Sequence, residues 1–337
     1  MKKRNIFVTL AVLAGLSELG LTSCASSGNI VIYSSLEDYR IARLETELKA
    51  KFPSKSIVVQ YLDTGTLMSR LQSEGTFSDC DIQYGIEATN AEKLIENNSK
   101  LFADLSSYDT SHYLDNLLVY QQRHHLYHIM DKEAGSIILN TKVLKDKGLA
   151  EPTSFADLLD AKYKGLIEMP NPKTSGTGYY WFNGLASTWG EEKAISYFDS
   201  LSANIKEFTT SGSGPVKALN RDEVAVGLGM TFQAALYANE NSNLKITYFE
   251  EGSPFTLYTQ GIINGKEKKD GVKEVYDYLF DTFTPLDKAL FCPETIYKPD
   301  YQPASQIPNY PTNVKYMNMK GLFDPDYKTA LLDKWTH

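Results

Sequence analysis

After position 28 the chain alternates between two hydrophobic rhythms. "NIVIYSS" (29–35) runs Ile30, Val31, Ile32 and Tyr33 without a break, as in a strand covered on both faces. "SLEDYRIARLETELKAKFP" (35–53) then spaces Ile41, Leu44 and Leu48 as a helix would, with Ser35 and Asp38 at capping-box spacing. "SIVVQYLD" predicts a second strand and "TGTLMSRLQSEG" a helix opened by Thr and Gly. "CDIQYGIE" and "TNAEKLIEN" supply a third pair. Strands alternating with helices at this spacing predict an α/β fold around a mainly parallel sheet.

A long extended stretch, "YHIMDKEAGSIILN" (127–140), leads into a second α/β series. There "SFADLLDAKYKG" reads as a helix and "LIEMPN" as a strand. Helix "KAISYFDSLSA", short capped helix "SGSGPVKALNRDE" and strand "VAVGLGM" follow. "LKITYFEEGSPFTLYTQGIIN" (244–264) is again long and extended. "DGVKEVYDYLFDTF" is amphipathic, with Val272, Val275, Leu279 and Phe280 as its apolar stripe. Two α/β units joined by two extended crossings predict two lobes with a cleft between them. One lobe would be discontinuous, 29–130 plus 255–337, and the other would span 131–254 with the hinge strands.

Length and composition fit this picture. With 337 residues the chain can build two substantial cores. A net charge of −8 argues against general affinity for nucleic acid or anionic lipid, so any bound anion must be held by local donors. The N-terminus has a basic start (Lys2, Lys3, Arg4), an apolar stretch to Leu21, and small residues before Cys24. That pattern predicts an export signal over 1–23, and the "LTSC" ending resembles a bacterial lipobox, implying cleavage before Cys24 and its lipidation. Residues 24–28 would be a lipidated tether. Cleavage removes three positive charges and one negative, moving the mature chain from −8 to −10. Cys80 and Cys292 remain, as a disulfide or as two buried thiols, and neither sits in a metal-type pattern.

The candidate chemistry gathers where strands enter helices. "YSSLED" (33–38), "DTGTL" (63–67), "NPKTSGTG" (171–178) and "TSGSGPV" (210–216) each put Ser, Thr or Gly where the first helical amides lack partners. Such amides and the helix dipole suit a carboxylate, phosphate or phosphonate, and in parallel sheets ligands collect at these strand ends. One such junction is ordinary capping. Residues 174–177, with three hydroxyls and Gly176, exceed what a cap needs. They do not form a P-loop, since no Lys follows Gly178.

"NPKTSGTGYYWFNGLA", "SGSGPVKALNRDEVAVGLGMTFQAAL" and "NYPTNVKY" resemble signature segments of type 2 periplasmic substrate-binding proteins. The likeness is to the ferric-iron, phosphonate and sugar-phosphate group served by ABC importers. It runs from about residue 29 to the C-terminus, and "DTGTLMSRLQSEG" fits the family's anion-binding turn. The resemblance implies a two-lobed fold that closes around a solute, an ABC permease as partner, and a monomer without a cofactor. Ferric members place adjacent tyrosines after the strand matching "VAVGLGM", where this chain has Thr231, Phe232 and Gln233. A Thr-Phe pair cannot supply phenolates to a hard ion. Tyr179 and Tyr180 sit at core spacing inside a helix.

The expected solute is therefore an organophosphonate or a phosphorylated metabolite, with ferric iron as the alternative. Ser35, Thr64, Gly65, Thr66, Ser175, Gly176 and Thr177 are the expected donors. Glu87, or Glu251, would pair with an amine if the solute carried one. Thr231, Gln233 and Tyr258 are candidate contacts from the second lobe or hinge. "RHHLYH" (123–128) places His124 and His128 four apart without a further ligand nearby, so no metal is expected there. A secreted hydrolase is a further alternative, but no GxSxG elbow, dinucleotide fingerprint or framed carboxylate pair supports an enzyme. A scaffold lipoprotein would need no ordered cleft.

Overall fold

A computed structural model of the chain describes residues 28–336. The signal segment, Cys24 and most of the tether lie outside them. The first series runs β1 (Ile30–Ser34), α1 (Asp38–Lys51), β2 (Ile57–Tyr61), α2 (Thr64–Glu74), β3 (Ile82–Glu87), α3 (Ala88–Asn97) and α4 (Asp115–Gln121). The long β4 (His128–Asn140) leads to α5 (Thr141–Asp146), β5 (Ile167–Pro170), α6 (Gly176–Trp189), α7 (Glu191–Ser202), β6 (Ile205–Thr209) and α8 (Gly214–Asn220). Then come β7 (Val226–Met230), α9 (Thr231–Glu240), β8 (Leu244–Thr247), β9 (Phe255–Ile262), α10 (Val272–Tyr278), α11 (Thr284–Leu290) and α12 (Pro325–Asp333).

The strands are ordered β2-β1-β3-β9-β4-β7-β5-β6, with β8 also on β4. β1 is parallel to β2 and β3, and β5 is parallel to β6 and β7. β4 and β9 run antiparallel to each other between these two parallel groups. The first half of β4 pairs with β9, and from Gly135 onward it pairs with β7 and β8. One thirteen-residue strand thus belongs to both halves of the sheet, because its residues are apolar or internally paired almost throughout.

Burial forms one apolar cluster on β1–β3, α1–α3 and α10, another on α6, α7 and β5–β7, and a smaller third one joining β4, α8, α9 and β8. Of the C-terminal segment, Phe323 packs in the first, while Ile307, Met317, Leu331 and Trp335 pack in the second. Cys80 and Cys292 are free, buried thiols.

Three local expectations fail for identifiable reasons. Residues 154–165 form two single 3-10 turns rather than a helix, because Asp157 accepts from the amides of Thr153 and Ser154 and Asp160 from that of Lys162. The extended stretch 244–264 breaks into β8 and β9 at Gly252, whose φ of +99° suits only glycine, and Pro254. Ser35 does not cap α1; its hydroxyl donates to the carbonyl of Gly85 at 2.6 Å, and Glu37 occupies the N-cap. The amphipathic segment after residue 270 is helical as α10, a π-helical turn over Leu279–Phe283, and α11.

Candidate functional site

α6 begins with Ser175 at its N-cap, and the Ser175 hydroxyl accepts from the Gly178 amide at 3.5 Å. The next two amides, of Gly176 and Thr177, make no hydrogen bond within the described residues. α8 begins beside them. A side chain at Gly212 would stand 2.2 Å from the Thr177 hydroxyl, so the absence of one is what lets the two helix starts meet. Ser211 and Ser213 share a hydroxyl contact of 3.0 Å in the same turn. These two openings form one wall of a cavity of about 410 Å³.

Ser35, Thr64, Ser175, Gly176, Thr177, Gln233 and Tyr258, all expected from sequence, line this cavity. Gly65 lines a smaller neighbouring one of about 120 Å³, which shares Thr64, Ser175 and Gly176. Thr66 is outside both, its amide and hydroxyl spent on the Asp63 carboxylate at 3.0 and 2.6 Å. Thr231 is buried outside the cavity, its hydroxyl without a partner among the described residues. Glu87 is fully buried outside it as well, accepting from the Thr256 hydroxyl at 3.1 Å and the Lys328 ammonium at 2.5 Å. Glu251 accepts from the Trp189 ring nitrogen at 3.2 Å. Tyr179 and Tyr180 are packed in the second apolar cluster, and Lys328 lies over the Tyr179 ring at 4.4 Å.

Much of the remaining lining is acidic. Glu37, Asp38, Asp63 and Glu133 line the cavity, with Lys217 as the basic residue of the lining. Behind Glu37 and Glu133 lies Arg40, fully buried. Its guanidinium meets Asp131 at 2.6 Å, Asp287 at 2.5 Å, Glu133 at 3.1 Å and Glu37 at 3.4 Å. Burial pushes the Glu37 carboxyl up, partly offset by Arg40. It pushes Glu133 well above the usual carboxylate range, with Glu37 and Asp131 adding to the effect. Tyr258 joins the two walls. A side chain at Gly176 would lie 2.9 Å from its hydroxyl, and across the sheet Tyr258 pairs with Asp131 on β4.

Sequence reading missed Glu37, Tyr39, Arg40 and Glu133. A signal for Arg40 existed: it falls on the same helical stripe as Leu44 and Leu48, where a charge needs buried partners. Among the described residues no three His, Cys, Asp or Glu side chains are grouped to hold a metal ion. His124 contacts Glu92 at 3.1 Å, and His128 is buried against the Tyr276 phenol.

Residues 68–284 match the family described as bacterial extracellular solute-binding protein. An uncharacterized Haemophilus influenzae protein is 28% identical over 141 residues, 42% of this chain and 41% of that one. A Salmonella typhimurium protein named "Putative 2-aminoethylphosphonate-binding periplasmic protein" is 25% identical over 287 residues, 80% of each chain. Among solved structures, the periplasmic binding protein AfuA of Actinobacillus pleuropneumoniae, with fructose-6-phosphate bound, superposes with a TM-score of 0.79. It is 24% identical, over 92% of this chain and 98% of that one. The apo ferric ion-binding protein A of Pasteurella haemolytica superposes with a TM-score of 0.69 at 16% identity, over 91% and 96%. At these identities the structural likenesses speak to the fold.

Proposed function

The chain belongs to the bacterial extracellular solute-binding protein family and shares its two-lobed α/β fold, and on that premise we propose that it captures a small phosphonate- or phosphate-bearing solute in the 410 Å³ cavity. The observation that carries this reading is the pair of unpaired amides at Gly176 and Thr177. They open a fourteen-residue helix into a wall of hydroxyls from Ser175, Thr177, Ser211 and Ser213. Amides at the positive end of a helix dipole hold a tetrahedral oxyanion without net charge from the protein. Lys217 adds one ammonium to the same wall. The names of the matched relatives favour capture over conversion.

In this proposal residues 29–130 with 255–337 and residues 131–254 form the two lobes, and closure of one onto the other seals the solute in. The two large apolar clusters favour such a division, and the C-terminal segment, packed in both, would tie the lobes together. Delivery would be to an ABC permease, by a monomer anchored through lipid on Cys24. Ferric iron is the rival cargo. Thr231, Phe232 and Gln233, directly after β7, offer no phenol to it, and burial holds the phenols of Tyr39 and Tyr258 well above their ordinary value, against phenolate formation. Calorimetry of the purified protein against alkylphosphonates, sugar phosphates and Fe3+ tests the reading. One phosphonate or phosphate ester should bind at 1:1 and be recovered unaltered. Binding of iron alone would overturn it.

A further inference from the structure

The acidic wall is not built for an anion. Four carboxylates, of Glu37, Asp131, Glu133 and Asp287, meet the single guanidinium of Arg40, and two of the four line the cavity. Excess buried negative charge is neutralised by protons or by a cation. A second observation points the same way. Gln233, with no exposed surface, lines this cavity with both its amide nitrogen and its amide oxygen unpartnered. The Tyr39 phenol lines it too and is also unpartnered. A buried amide that uses neither donor nor acceptor is costly unless something outside the chain completes it.

We propose that the cavity is two-ended, and that its Glu37–Glu133 end takes a primary ammonium of the same solute whose oxyanion rests on α6. This rests on the oxyanion reading above and narrows it to zwitterions, such as an aminoalkylphosphonate. The ammonium supplies donors to Glu37, Glu133 and the Gln233 oxygen, and Tyr258, paired across the sheet with Asp131, reaches from this end to Gly176.

Proton release follows from the same geometry. Glu133 faces Arg40, Glu37 and Tyr39 from α1, Asp131 on its own strand, and Tyr258 from β9. Tyr180 from α6, Asp287 from α11 and the Cys292 thiol also surround it. Glu37 faces Arg40, Asp131 and Asp287, with Tyr39 and Tyr61 beside it. An arriving ammonium favours the charged form of a carboxyl that burial holds above its ordinary range, so it draws protons off the Glu37–Glu133 pair. Binding therefore releases protons and strengthens as pH rises above the ordinary carboxylate range.

The test is calorimetry with a matched pair, 2-aminoethylphosphonate and ethylphosphonate, in buffers of different ionisation enthalpy. The wild-type protein should prefer the amine about 10-fold or more, with an enthalpy that tracks the buffer for that compound alone. In Glu133→Gln and Glu37→Gln the ratio of the two affinities should fall toward one. Glu37, its side chain 14% exposed, carries the test if Glu133→Gln does not fold. Equal affinities with no buffer dependence would overturn the cation end and leave the oxyanion reading standing. Failure of both compounds to bind would overturn both.

Discussion

Two helix openings in this molecule are nearly the same in sequence and opposite in fate. "DTGT" (63–66) opens α2 and "SGTG" (175–178) opens α6, each with hydroxyls around a glycine. At α2 the N-cap is Asp63, whose carboxylate takes both the amide and the hydroxyl of Thr66. Those bonds lower its pKa, so the helix start already holds an anion, one supplied by the chain itself. At α6 the N-cap is Ser175, neutral and bonded only at 3.5 Å, and the Gly176 and Thr177 amides stay free. Hydroxyl and glycine content therefore does not distinguish an anion site from a cap. The charge of the N-cap residue does.

Gly176→Asp breaks the comparison most severely, because it gives α6 the charge that α2 already has. The new carboxylate would sit among the free amides, and its Cβ would crowd the Tyr258 hydroxyl at 2.9 Å. Like charges brought together at a binding site cost several kcal/mol, so the affinity for a phosphonate should fall about 100-fold or more. Thermal unfolding of the same variant separates lost binding from lost folding. Affinity within a few-fold of wild type would place the oxyanion elsewhere.

A smaller loss is expected from Thr177→Val, which keeps the shape at the Gly212 contact and removes one hydroxyl. A single neutral hydrogen bond contributes about 1 kcal/mol, so calorimetry should show a loss of about 5-fold. An unchanged affinity would mean that this hydroxyl does not touch the solute.

The fold was legible where burial leaves unbroken apolar runs, as at β1 and β7, and the α6 opening was legible from its surplus of small polar residues. The acidic end was not. Glu133 and Asp131 sit in "MDKEAG", a charged interruption that reads as solvated surface until β9, α1 and α11 close over it. Glu87 shows the opposite error. Its place after a strand suggested a free cleft carboxylate, yet Lys328, 241 residues away in sequence, claims it. Local pattern reports which atoms a turn leaves unpaired, but long-range pairing decides which charges remain available. The α2 turn was overread for the same kind of reason: Thr66 looked like a donor, and Asp63 had already taken it.

Asp63→Ala should have the smallest effect on binding and is the sharpest check on the α2 half of the comparison. If the α2 opening only caps its helix, phosphonate affinity should stay within about twofold, since Asp63 lines the cavity without donating to it. Stability should fall by about 1 kcal/mol, the usual loss for an N-cap carboxylate. The pH dependence fixes the sign. Bonds from Thr66 depress the Asp63 pKa in the folded state, so its contribution is complete above the ordinary carboxylate value and is lost as pH falls through the depressed one. Urea melts of the wild type and Asp63→Ala should differ at neutral pH and converge on acidification. A large gain in phosphonate affinity in Asp63→Ala would show instead that α2 is a second anion site, blocked by its own cap.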